Sequence, residues 1–195
     1  MSNKINIAIV ITLVDDVLES TFNLLEYFDT KHQIRFIKES QFLPHITLCT
    51  REIEQNSLDS IHGTITKLCK EYKTFKIQTN GLGIFLQDQI NIHIRWQASK
   101  ELCCFKDSLE SKLDEPWFKS NDFNEKNSWL AKTSIAYKDV SYTEFSKIDF
   151  DTIKIKNVDM QVKEISIIKF EIGKKETQLA NFSLNEENTC LLVQE

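Results

Sequence analysis

Two strand-like octapeptides carry the residues that could do chemistry. Phe42-Leu43-Pro44-His45-Ile46-Thr47-Leu48-Cys49 and Trp129-Leu130-Ala131-Lys132-Thr133-Ser134-Ile135-Ala136 both read aromatic, Leu, small, basic, any residue, hydroxyl, aliphatic, small. Their basic positions lie 87 residues apart. Side chains at i and i+2 of a strand share a face. His45 therefore points with Thr47 and Lys132 with Ser134, while Ile46, Leu48, Thr133 and Ile135 face the other way. Laid side by side about a pseudo-twofold axis, the two segments bring two basic groups and two hydroxyls into one cleft. Such a set suits a phosphate: hydroxyls donate to non-bridging oxygens, cations balance charge, and an imidazole moves a proton. The competing reading of His45 is a core histidine on a strand after proline. A lysine within an apolar strand is costly to bury unpaired, so Lys132 faces a cleft, snorkels, or sits on an edge.

The remaining signals are weaker. His93 and Arg95 share a strand face and could reach a phosphate, against the alternative of an exposed pair on an edge strand. His32 and His62 lie among polar residues in or beside helices and read as solvated. Phe42, Phe85, Trp129 and Tyr137 offer base-stacking surfaces at a groove mouth, although strand aromatics are more often core. The polar stretch from Asp114 to Asn127 could form a lid, or serve as a solvated connection. No phosphate-binding glycine loop, dinucleotide fingerprint or GxSxG elbow is present, which removes support for nucleoside-triphosphate hydrolysis, Rossmann cofactors and serine hydrolysis.

The elements that must position these groups follow from periodicity. Ile5, Ile7, Ile9 and Ile11 alternate along a buried strand, and Asp15 and Asp16 start a helix to about Thr30. Phe36–Thr50 reads as extended, interrupted at Pro44. Ser57–Tyr72 reads as a helix capped by Asn56. Phe75–Thr79 and Ile90–Trp96 are expected strands, with a turn at Asn80-Gly81. A third helix spans about Lys100–Leu113, Trp129–Tyr137 returns to strand, and Tyr142–Phe150 suggests a short helix. Val162–Ile172 and Thr177–Leu184 flank Gly173-Lys174-Lys175, a hairpin signal. The acidic tail after Asn185 could dock through Cys190–Val193. The order implies an α+β domain built on mainly antiparallel sheets.

Composition narrows the setting. The chain has 195 residues, 41% hydrophobic, with 24 basic and 29 acidic side chains and a net charge of −5. One domain spanning 1–195, with no linker, is expected at this length. The charge argues against a broad basic surface gripping duplex nucleic acid, but leaves room for a short oligonucleotide in a locally positive cleft. Five cysteines (Cys49, Cys69, Cys103, Cys104 and Cys190) show no CxxC pair and read as reduced thiols, so no metal site is expected. Neither a signal peptide nor a membrane span fits the opening residues. The expected setting is a cytoplasmic monomer without a membrane partner or a cofactor.

Paired strand motifs of the form His-x-Thr/Ser, about 90 residues apart in a chain near 200, resemble the 2H phosphoesterase superfamily. That group includes the LigT-like 2′-5′ RNA ligases and cyclic phosphodiesterases. The resemblance covers nearly the whole chain. Pro44-His45-Ile46-Thr47-Leu48 matches the first motif, and Lys132-Thr133-Ser134-Ile135-Ala136-Tyr137 matches the second except at its first position. It implies two pseudo-symmetric α+β lobes around a groove floored by both motifs. It also implies a metal-independent phosphodiesterase, a hydrolase acting on an RNA end, a 2′,3′-cyclic phosphate or a short 2′-5′- or 3′-5′-linked oligonucleotide. His45 and Lys132 would be catalytic, and Thr47, Ser134 and Tyr137 would bind substrate. In the family one histidine is general base and the other general acid. Lysine, with a reference pKa of ~10.4 against ~6.5 for histidine, is a fixed cation near neutrality unless its pKa falls by several units, and a charged Lys132 cannot be the base. The alternative is a degenerate domain that binds a nucleotide or RNA phosphate without turnover.

Overall fold

A computed structural model describes residues 4–86, 88–113, 129–171 and 174–185. The elements run β1 (Lys4–Thr12), α1 (Asp15–His32), α2 (Phe36–Ser40), β2 (His45–Glu54), α3 (Leu58–Glu71), β3 (Phe75–Phe85), β4 (Asn91–Trp96), α4 (Lys100–Lys112), β5 (Lys132–Tyr137), α5 (Tyr142–Phe145), β6 (Asp159–Val162), β7 (Glu164–Phe170) and β8 (Thr177–Ser183). They form two antiparallel four-stranded sheets, ordered β2-β1-β7-β8 and β5-β4-β3-β6. The two motif strands, β2 and β5, are thus each an edge strand of their own sheet, and they touch one another.

The helices pack against the sheets: α1 and α2 touch β5, α3 touches β8, and α4 touches β2 and β3. In α1 the residues Val17, Thr21, Leu25 and Phe28 recur at helical spacing and are buried. Gln33 ends that helix in the left-handed region (φ 55°); its N–H bonds to Asp29 O, the αL form of C-cap, and Ile34 N–H bonds to Phe28 O. The isoleucines at 7, 9 and 11 of β1 are almost fully buried, each contributing about 1.5–3 kcal/mol by leaving water. Ser99 caps α4 by accepting from Leu102 N–H.

Several expectations are corrected. Phe36–Ser40 is helical rather than extended, because Asp139 Oδ2 accepts from both Arg35 N–H (2.7 Å) and Phe36 N–H (2.8 Å) and satisfies its first turn. Asn56 does not cap α3: Gln55–Ser57 forms a 3₁₀ turn running directly into Leu58. Asn80-Gly81 is not a turn between strands. Gly81 sits at φ 72° in a bulge where the β3–β4 register shifts, and β3 continues to Phe85. Asp159–Val162 is a separate strand that pairs with the first half of β3. His32 is not solvated; its Nδ1 lies 3.1 Å from Glu144 Oε1 and its Nε2 3.3 Å from the Tyr27 hydroxyl. His62 is half-buried against the Phe182 ring. The suggested lid at 114–127, the Gly173 turn position and the suggested docking of 190–193 lie outside the described residues.

Candidate functional site

The sequence repeat is also a repeat of backbone register. In the β1–β2 ladder Val10 pairs with Thr47 and Ile9 with Cys49, which leaves Leu48 as the extra residue of a bulge. In the β4–β5 ladder His93 pairs with Ser134 and Ile92 with Ala136, which leaves Ile135 in the equivalent place. Each motif strand therefore bulges immediately after its hydroxyl residue. Cross-strand partners share a face, so His45 and Thr47 lie on the face of Thr12 and Val10. Lys132 and Ser134 lie on that of Arg95 and His93. The bulge also returns Tyr137, opposite Asn91, to the His93 face; its ring meets Phe36 edge-on at 6.3 Å. Trp129 ties the two lobes together, its indole N–H donating to Thr47 O at 2.9 Å.

His45 opens β2 directly after Pro44 and is 7% exposed. Its Nδ1–H donates to Leu43 O at 2.8 Å, which fixes the tautomer and leaves the lone pair on Nε2. Burial lowers its pKa to about 4, with the Lys132 charge adding to the shift and the Leu43 bond opposing it. The imidazole is therefore neutral at pH 7 and in the form that accepts a proton. Beside it lies a group without a sequence signal. Glu176 Oε2 is 3.9 Å from His45 Nδ1 and accepts from Phe42 N–H at 3.0 Å. Burial raises that carboxyl to about 7, against the opposing Phe42 bond. Glu176 N–H also donates to Ser40 O, so the segment just before β8 clamps the segment leading into the first motif.

The second motif is a network. Ser134 Oγ accepts from Lys132 Nζ at 3.3 Å and from Asn91 Nδ2 at 3.0 Å, while Asn91 Oδ1 accepts from His93 Nδ1–H at 3.0 Å. With both lone pairs engaged, the Ser134 hydroxyl has only its proton to offer, which makes it a donor. The Thr47 hydroxyl makes no hydrogen bond among the described residues. Burial lowers the Lys132 pKa from 10.5, and no carboxylate pairs with Lys132 among the described residues. His45, Thr47, Lys132 and Ser134 thus present a neutral base, one cation and two hydroxyls, a donor set for an anion.

The edge-strand alternative for His93 is overturned: β4 is internal to its sheet, and His93 is 1% exposed. Burial, then the Lys132 charge, bring its pKa to about 4, so it too is neutral. Its ring packs at a 39° tilt against Phe85, with centroids 4.6 Å apart. Gly83 opposite it leaves room for the ring: a Cβ there would stand 2.3 Å from His93 Nε2, so the imidazole would have to shift. Burial pushes the Cys49 and Cys69 thiols up to about 12, which removes both as nucleophiles. Among the described residues no three His, Cys, Asp or Glu side chains converge as metal ligands, and no helix is long and apolar enough to cross a membrane.

No protein-family model matches this chain, and no curated protein sequence matches it. Solved structures do. TT0787 of Thermus thermophilus superposes with a TM-score of 0.67 at 12% identity, covering 93% of this chain and 99% of that one. LigT of E. coli, in complex with 3′-AMP, gives 0.59 at 16% identity, with 93% and 99% covered. A crystal structure of a phosphoesterase gives 0.55 at 14% identity, covering 93% and 98%. The fold is the two-lobed LigT-like fold over nearly the whole chain.

Proposed function

We propose that the chain is a 2H-type phosphodiesterase, a single two-lobed unit. Its substrate is an RNA end, a nucleoside 2′,3′-cyclic phosphate or a short 2′-5′- or 3′-5′-linked oligonucleotide. The observation that carries this reading is the doubled motif: two strands with the same bulge set a neutral His45 and a cationic Lys132 at the meeting edges of two sheets. That E. coli LigT was crystallised with 3′-AMP supports a nucleotide as the ligand class.

In hydrolysis of a 2′,3′-cyclic phosphate, His45 Nε2 takes a proton from water as its oxygen bonds to phosphorus and the P–O2′ bond breaks. Thr47 and Ser134 donate to the non-bridging oxygens, and Lys132 balances the charge that builds on them. The departing O2′ takes a proton from Lys132 Nζ. The imidazolium then releases its proton to solvent and Lys132 regains one, so the cycle closes without a metal.

The lysine at 132 favours a second reading, a groove that binds a nucleotide phosphate without turnover, and one set of variants decides. His45→Ala lowers kcat/KM on a 2′,3′-cyclic nucleotide by about 10²–10⁴-fold. If Lys132 is the working electrophile, Lys132→His and Lys132→Ala both lower the rate. If the pocket lacks only its second proton carrier, Lys132→His raises turnover tenfold or more. Wild type, Lys132→His and His45→Ala all inert on a panel of phosphodiesters, with one of them bound tightly, leave the binding module.

A further inference from the structure

The face that carries the second motif holds more positive charge than one phosphate needs. The β4–β5 register sets Arg95 directly opposite Lys132. Like charges in that relation destabilise a sheet, and among the described residues neither has a carboxylate partner. His93, one position along the same face, is neutral and adds no charge of its own. Gly83 clears the ground on the far side of β4. A Cβ at 83 would lie 2.9 Å from both Cγ and Cδ of Arg95, so the arginine stem runs over Gly83 towards β3, away from Lys132. Arg95 is exposed. The two cations are thus splayed along one face, the half-buried one at the motif and the other over the glycine. On the other sheet, Thr47 pairs with Val10 of β1 and Val10 with Ser166 of β7, whose hydroxyl donates to Asn181 Oδ1, so the groups in register with Thr47 there are uncharged.

We propose that Arg95, lying over Gly83, forms a second phosphate subsite, so that the groove selects nucleotides bearing a further phosphate beside the one held at Lys132. The inference rests on the reading that Lys132 holds the reacting phosphate. A guanidinium presents paired donors to a phosphate, and a ligand spanning both cations removes the repulsion between them. The second phosphate could be a terminal 5′-monoester or the diester linking a further nucleoside. The shared requirement is a second phosphate group one nucleoside away from the first.

Calorimetric titration with three ligands that cannot be turned over tests this: a nucleoside 3′-monophosphate, the matching 3′,5′-bisphosphate, and a dinucleotide that ends in a 3′-phosphate and is joined by a non-hydrolysable methylenephosphonate. Wild type should bind the two doubly phosphorylated ligands about tenfold more tightly than the monophosphate, and Arg95→Gln should abolish that preference while Arg95→Lys keeps part of it. A preference confined to the bisphosphate identifies the subsite as a 5′-monoester site; one shared by the dinucleotide identifies a site for the chain. Equal affinity for all three ligands in wild type, or a preference that survives Arg95→Gln, overturns the subsite. Failure of the underlying reading looks different: Lys132→Gln would then leave the affinity for the 3′-monophosphate unchanged.

Discussion

Replacing Glu176 by glutamine separates the charge of the carboxyl beside His45 from its shape. Its side chain is 17% exposed, and its pKa is raised from 4.5 to about 7, with burial as the leading cause. Between those values the folded protein keeps a proton on Glu176 that the unfolded chain has released. Its contribution to stability is therefore fully present below 4.5 and lost as pH rises through 7. Roughly 2.5 pH units at ~1.36 kcal/mol each come to about 3 kcal/mol. Glutamine keeps an acceptor oxygen for Phe42 N–H and cannot ionise. Glu176→Gln should then match wild type at pH 4.5 and exceed its stability by about 3 kcal/mol at pH 8. His45 and His93 act with the opposite sign. Their folded values near 4 withdraw stability as pH falls below 6.5, but both proteins share that loss, so the difference between them isolates Glu176. Urea unfolding at pH 4.5, 6 and 8, extrapolated to water, reads it directly. A difference at pH 8 below ~0.5 kcal/mol, or one that does not change with pH, would mean that the carboxyl is solvated rather than packed against His45.

Two further outcomes follow from the same geometry. Gly83→Ala should cost about 1–3 kcal/mol, since Arg95 can swing away but His93 can move only by breaking its bond to Asn91; urea unfolding with an unchanged midpoint would contradict the close approach. In a kcat/KM–pH profile the acid limb should fall near pH 4, set by the desolvated His45, and the alkaline limb below 10.5, set by Lys132; an acid limb at 6.5 would show His45 to be hydrated.

What the sequence made legible was whatever is encoded at short range. Strand alternation put His45 with Thr47 and Lys132 with Ser134, and comparing two octapeptides found the pseudo-symmetry, because i, i+2 geometry needs no knowledge of tertiary structure. Helices α1, α3 and α4 announced themselves by apolar spacing. The bulges at Leu48 and Ile135 did not, since a bulge is set by the partner strand's register. Their recurrence at equivalent places in both motifs is a signal visible only once the ladders are known. Glu176 was hidden for a different reason. It arrives at His45 from the β7–β8 connection, and a charged residue after two lysines in a turn looks solvated in sequence. Asn91 was likewise missed, although its place two residues before His93 on one strand face could have marked it as a partner. Asn80-Gly81 misled because the positive φ that suits a hairpin turn suits a bulge equally well.

In the proposed reaction, a lysine at 132 would divide the work differently from a second histidine. A second histidine there would titrate near His45, and each imidazolium would discourage the other, so neither charge state would be fixed near neutrality. The charge of Lys132 lowers the basicity of His45 in addition to the effect of burial. The base is thereby held free of protons across the neutral range, at the expense of proton affinity. In the proposed mechanism that loss would be offset as negative charge gathering on the phosphate neutralises the field of Lys132, so that the imidazole would regain basicity as it accepts the proton from water. In this arrangement Lys132 is coupled to His45 through charge rather than through a shared hydrogen bond. A neutral isostere at 132 should therefore raise the His45 pKa from about 4 while slowing turnover, a pair of opposite shifts that loss of structure would not produce.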